Sequence, residues 1–137
     1  MNERILIADS HPEWLAFAQR TLEEHGYRIV AVNNVTALET LAESDGYDLI
    51  LVNAELLFGD FREPVHRLFL QNKDRPIIVV SVPASVHQAI QETRTAFKFG
   101  ANDYLDKPFS GARLLSLVRT LLVEFVRPPL TGQGANS

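Results

Sequence analysis

Tyr47-Asp48-Leu49-Ile50-Leu51-Val52-Asn53-Ala54-Glu55 is an apolar run closed by a polar residue. Leu, Ile and Val follow one another here without hydrophobic/polar alternation, as a central parallel strand requires when helices cover both of its faces. Asn53 then stands at a strand's carboxyl end, the edge of an open α/β sheet where ligands and chemistry gather. Working outward, Ile5 to Ala8 reads as a first buried strand, followed by Asp9-Ser10-His11, with Pro12 suited to the first turn of a helix. That helix runs to about His25, with Leu15, Ala18 and Leu22 on one face and Gly26 as its left-handed stop. Arg28 to Val32 is a second strand, and Asn34 caps a helix built on Ala37, Leu38, Leu41 and Ala42.

Beyond Asn53 the pattern predicts an irregular loop, Glu55 to Asp60, and a helix around Arg62 to Asn72 with Val65, Leu68 and Phe69 inward. Pro76 to Val82 is a fourth buried strand with Ser81 near its end. A helix follows from about Ser85 to Phe99, stopped by Gly100. Tyr104-Leu105 makes a fifth strand, Lys107-Pro108-Phe109 closes it, and a last helix runs from Ser110 to about Val126. Five strands alternating with five helices give an α/β, doubly wound parallel sheet in one domain, residues 1–126. The tail, 127–137, carries Pro128-Pro129, Gly132 and Gly134, and its composition predicts flexibility.

Composition narrows the function. The 137-residue chain has a net charge of −4, scattered Lys and Arg, and no cysteine. A nucleic-acid footprint is therefore missing, and disulfides, thiolate metal sites and cysteine nucleophiles are excluded. No apolar run is long enough for a signal peptide or a membrane span, so no membrane role and a cytoplasmic location are expected. Strand-end positions gather Asp9, Ser10, Asn53, Ser81 and Lys107 around one small polar site. No glycine-rich phosphate loop follows the first strand, which argues against a flavodoxin-like enzyme or nucleotide binder. Asp9, Ser10 and His11 are neighbours in sequence, whereas a catalytic triad converges from separated positions. His11 and Glu13 make a poor metal pair, and His66 and His87 have no ligand partners at helical spacing.

Three segments together resemble the receiver domain of bacterial response regulators: Ile5-Leu6-Ile7-Ala8-Asp9, Tyr47 to Val52, and above all Gly100-Ala101-Asn102-Asp103-Tyr104-Leu105-Asp106-Lys107-Pro108-Phe109. The resemblance implies the flavodoxin-like (CheY-like) fold, (βα)5 with strand order 2-1-3-4-5. It also implies a phosphate-accepting Asp after strand three, a magnesium-holding acidic pair after strand one, and phosphate-binding Ser/Thr and Lys residues after strands four and five. Asp9 matches the first acid, but Ser10 stands at the second and Asn53 at the acceptor. Ser81 matches the switch hydroxyl, Tyr104 the switch aromatic and Lys107 the lysine. An Asn amide has no anionic oxygen to attack phosphorus. Losing two carboxylates also removes most of the charge that holds magnesium, so no cofactor and no metal are expected and Asp9 is weak at best. Asn53 is expected to hydrogen-bond Lys107 or Ser81 as a satisfied strand end, and Lys107 to pair with Asp9. Glu55 is the residue that can swing in as a replacement acid or acceptor.

The expected role is a stand-alone, non-enzymatic, degenerate receiver acting through protein contacts in two-component signalling, its partner a histidine kinase or another regulator. The alternative is a working phosphorelay receiver using Glu55. The Ser81–Lys107 interval exceeds the family's usual one by about four residues, roughly one helical turn, so the partner surface there is altered. On the last helix, Leu114, Leu117, Val118, Leu121 and Phe125 form one stripe and Leu115, Leu122 and Val126 a second. Both together exceed the stripe one sheet face needs, so the second is a candidate interface for a homodimer or partner.

Overall fold

The computed structural model describes residues 3–43, 46–57, 74–82 and 85–125. Its elements, in chain order, are β1 (Arg4–Ala8), α1 (Pro12–Glu23), β2 (Arg28–Val32), α2 (Val35–Ala42), β3 (Leu49–Asn53), α3 (Ala54–Leu57), β4 (Ile77–Ser81), α4 (Val86–Phe99), β5 (Asp103–Asp106) and α5 (Gly111–Glu124). The strands form one parallel sheet in the order β2-β1-β3-β4-β5, which is the predicted doubly wound topology. The helix expected around 62–72, Val126 and the tail lie outside the described residues.

The two apolar strand runs explain the sheet's centre. Every residue of β3 and of β4 is buried, because helices cover both faces and period-two alternation sends neighbouring side chains to opposite layers. Leu6, Ile50, Val52, Ile77 and Val79 form one layer with Leu38, Leu56 and Ala96 from α2, α3 and α4. Ile5, Ile7, Leu49, Leu51, Ile78 and Val80 form the other with Leu22 of α1 and Leu114 and Val118 of α5. Burying one such side chain contributes about 1.5–3 kcal/mol.

Helix ends follow local chemistry. The side chains of Asn34, Ser85 and Ser110 accept from the backbone N–H groups of Ala37, Gln88 and Arg113, satisfying donors that the first helical turn leaves open. Helix α1 stops at Glu23 rather than near His25, because Gly26 takes φ +93° and turns the chain so that the Tyr27 N–H reaches the Leu22 carbonyl at 3.2 Å. Gly100, at φ 122°, does the same for α4, and the Ala101 N–H reaches Ala96. Asn102 then joins strand starts: its side chain accepts from the Ile77 N–H while its own N–H donates to the Ile77 carbonyl, both at 2.8 Å.

Two expectations need correction. The segment after Asn53 is not irregular from its start: Ala54 continues directly into α3, and Leu56 is buried in the core. Leu115 and Leu122, two of the three residues of the last helix's second stripe, are not a free interface either. Leu115 is buried among the α1 and sheet residues, and Leu122 packs against the same cluster, because α1 lies beside α5. A large hydrophobic that α5 does expose is Val123. Leu115→Ala should therefore destabilise the protein by about 2–4 kcal/mol in urea unfolding, as a core deletion does. Val123→Ala should stay within about 0.5 kcal/mol.

Candidate functional site

The carboxyl ends of β1, β3, β4 and β5 lie side by side, so the residues that follow them share one pocket. Ser81 pairs in register with Asp106 and Asn53 with Val80, and the Lys107 N–H donates to the Ser81 carbonyl at 2.7 Å. That bond turns Lys107 inward. Its ammonium lies 2.8 Å from Asp9 Oδ2, with side-chain exposures of 1% for the lysine and 8% for the aspartate. Its nitrogen also lies 5.4 Å from the centre of the Trp14 ring, which stacks against Phe109.

Asp9 is the hub. Its Oδ1 accepts from the His11 N–H at 2.9 Å and from Asn53 Nδ2 at 3.0 Å, while Oδ2 faces the ammonium. Asn53 is 2% exposed, and its Oδ1 accepts from the Glu55 N–H at 2.8 Å. Both ends of the amide are thus committed. The partners differ from those expected, Lys107 or Ser81, because Lys107 is already taken by Asp9 and a neutral amide can give Asp9 the donor it lacks.

Two residues join the site that strand-end reasoning overlooked. His11 Nδ1 lies 3.4 Å from both Lys107 Nζ and Asn53 Nδ2, and its Nε2 lies 3.4 Å from Glu55 Oε1. The same Nδ1 lies closer still, 3.2 Å, to Asp9 Oδ1, so the imidazole bridges the Asp9 and Glu55 carboxylates. Glu55 also accepts from Ser10 Oγ at 3.2 Å, so this acid does lean over the pocket mouth. Glu92, on α4, is the second. Its Oε1 accepts from Ser81 Oγ at 2.5 Å and from the Tyr104 hydroxyl at 2.9 Å. A cavity of about 260 Å³ is lined by His11, Asn53, Glu55, Ser81, Gln88 and Glu92, among others. Only the Asp-Ser-His proximity in sequence hinted at His11; nothing in the sequence marked Glu92, whose place depends on how α4 crosses the sheet.

A family model described as "Response regulator receiver domain" matches residues 5–119. The chain belongs to that family. Receiver domains are signalling modules of two-component systems, and they interact with histidine kinases and other regulators. Among similar proteins, the transcriptional regulatory protein PcoR of Escherichia coli is 30% identical over 120 residues, covering 88% of this chain and 51% of PcoR. The sensor histidine kinase GacS of Pseudomonas protegens is 28% identical over 118 residues, covering 84% of this chain and 13% of GacS. This receiver thus spans about half of one relative and a small part of the other. Among solved structures, a CheY-like response regulator receiver domain protein from Methanospirillum hungatei superposes with a TM-score of 0.78 at 22% identity, covering 91% of this chain and 97% of its own. The receiver domain of the Francisella response regulator 1452 gives 0.74 at 27% identity, covering 90% and 98%. Among the described residues no helix is long and apolar enough to cross a membrane.

Removing one member of a buried ion pair leaves the other charge desolvated, so Asp9→Ala should cost this receiver about 3–5 kcal/mol. Adding Lys107→Met should recover much of that loss, as urea unfolding of the single and double variants would read. Tyr104 supplies a pH dependence. Burial chiefly pushes its phenol from 10.0 up to about 12, and the Glu92 bond and the charges of Glu92 and Asp106 push the same way. The folded state thus holds this proton more tightly than the unfolded chain. The associated stability is complete below pH 10 and is lost as pH rises from 10 towards 12. Tyr104→Phe should flatten the fall of stability across that window.

Proposed function

We propose that this receiver domain signals without aspartyl phosphorylation at Asn53, as a non-enzymatic interaction module whose partner is a histidine kinase or another regulator in the cytoplasm. The commitment of Asn53 carries the reading. Its amide donates to Asp9 and accepts from the Glu55 backbone, and it has no anionic oxygen with which to attack phosphorus. The rest of the pocket points the same way. Among the described residues Asp9 is the one buried carboxylate of the site, and both its oxygens already face donors, one of them the Lys107 ammonium. A magnesium ion, which the family uses, requires carboxylate charge and open coordination positions. Asp9, Ser10 and Asn53 do not fit that need. Partner contact falls to α4 rather than to the last helix, because Val86 and Ile90 are exposed there with Val82 just before them, whereas Leu115 and Leu122 are used within the protomer.

The alternative acceptor is Glu55, whose side chain is 63% exposed beside His11 and Ser10. Intact mass after incubation with acetyl phosphate and magnesium separates the readings. Wild type should stay unmodified. Asn53→Asp alone should gain little, because Ser10 still leaves the metal one acid short, and Asn53→Asp with Ser10→Asp should gain a phosphoryl group. A phosphorylated wild type would refute the proposal, and a modification mapped to Glu55 would establish the alternative.

A further inference from the structure

Ser81 and Tyr104 lie on adjacent strands. Tyr104 pairs in register with Val79, and Ser81, two residues beyond Val79, projects from the same face. That face is the one α4 covers, with Ala96 in its core layer and Tyr104 packed against it. Glu92 stands one turn before Ala96 on the same helix, above the gap between the two strands. Both hydroxyls end on one oxygen of its carboxylate, at 2.5 and 2.9 Å. The second oxygen accepts from Gln88 Nε2 at 3.0 Å, one turn back along α4. A hydroxyl has one proton to donate, so both donors are consumed. The partners of Glu92 among the described residues are two hydroxyls and an amide rather than a cation, and the nearest buried ammonium, Lys107, is held by Asp9.

We propose that Glu92 is the resident anionic ligand of the Ser81–Tyr104 pair, tying β4, β5 and α4 into one setting that needs no phosphoryl group at residue 53. This rests on the reading of an unphosphorylated receiver. The chemistry is that of any anion presented to two hydroxyls: a carboxylate oxygen accepts charge-assisted bonds, which are shorter and stronger than neutral ones. The ligand here is covalently part of α4. Where Glu92 goes, the strand-end hydroxyl, the tyrosine and the exposed residues of the same helix go with it.

Mutant cycles on the full chain test it. Glu92→Gln, which keeps the shape and removes the charge, should lower the folding equilibrium constant by about tenfold, the scale of a hydrogen bond to a charged group. Ser81→Ala and Tyr104→Phe should each cost several-fold in wild type and less than twofold when added to Glu92→Gln, since their shared acceptor has changed. Backbone amides of Val86–Phe99 should lose more protection from hydrogen exchange in Glu92→Gln than those of β1 and β3. Effects that simply multiply, or α4 protection that falls no further than that of the core strands, would overturn the proposal. Should Glu92→Gln not fold, Tyr104→Phe, which removes a single oxygen, carries the exchange test alone with the same two outcomes. None of these measurements involves phosphate. Acetyl phosphate labelling of wild type would sink the unphosphorylated reading, while absence of coupling would sink the role of Glu92.

Discussion

A buried ammonium must have a carboxylate within reach, and Lys107 finds one in Asp9. The remainder of the strand-end pocket is arranged around that constraint. Lys107 is drawn inward by its backbone bond to Ser81 and flanked by Trp14. Asp9, ionised to serve the lysine, presents a second oxygen that is satisfied by the His11 N–H and the Asn53 amide. Asn53 is well matched to this position because it is neutral and can donate. An aspartate there would bring a second anion to within about 3 Å of Asp9 without a donor, and like charges that close resist joint ionisation. The residue that lacks a nucleophilic oxygen is thus also one that settles the charge balance of its neighbours.

That balance divides the pocket in two. The inner half, Asp9 with Lys107, is neutral as a pair and closed to solvent. The outer half holds Glu55 at the mouth and Glu92 on α4, with His11 between Asp9 and Glu55. Each half is tied to a different helix: Asn53 speaks to the start of α3 through the Glu55 N–H, and Ser81 and Tyr104 speak to α4 through Glu92.

Most of the sheet was legible in the sequence. Unbroken runs such as Leu49–Val52 and Ile77–Val80 are tolerated only where both faces are covered, and Gly26 and Gly100 mark helix ends because the chain there needs a positive φ. The polar site was legible for a geometric reason, since the carboxyl ends of parallel strands must lie together. Asp9, Ser81 and Lys107 could therefore be grouped from sequence positions alone. Glu92 could not, because its meaning depends on which side of α4 crosses the β4–β5 gap. The same holds for Leu115: the apolar stripes of α5 were visible, but whether α1 or a second molecule covers them depends on helix placement that periodicity does not encode.

A conformational switch needs a ligand that distinguishes its states. In a receiver whose strand-end acceptor is an amide, the candidates are a partner protein and the chain itself. Glu92 belongs to the chain, and it sits on the same helix that exposes Val86 and Ile90. A partner that docks on α4 and shifts it by a fraction of a turn would carry the carboxylate away from Ser81 and Tyr104, and the two hydroxyls would have to find other acceptors. Such a shift is opposed by two charge-assisted bonds and favoured only by contacts the partner makes in the shifted state. On the proposed reading, the pocket and the exposed residues of α4 are coupled through one helix, with the anion supplied in cis.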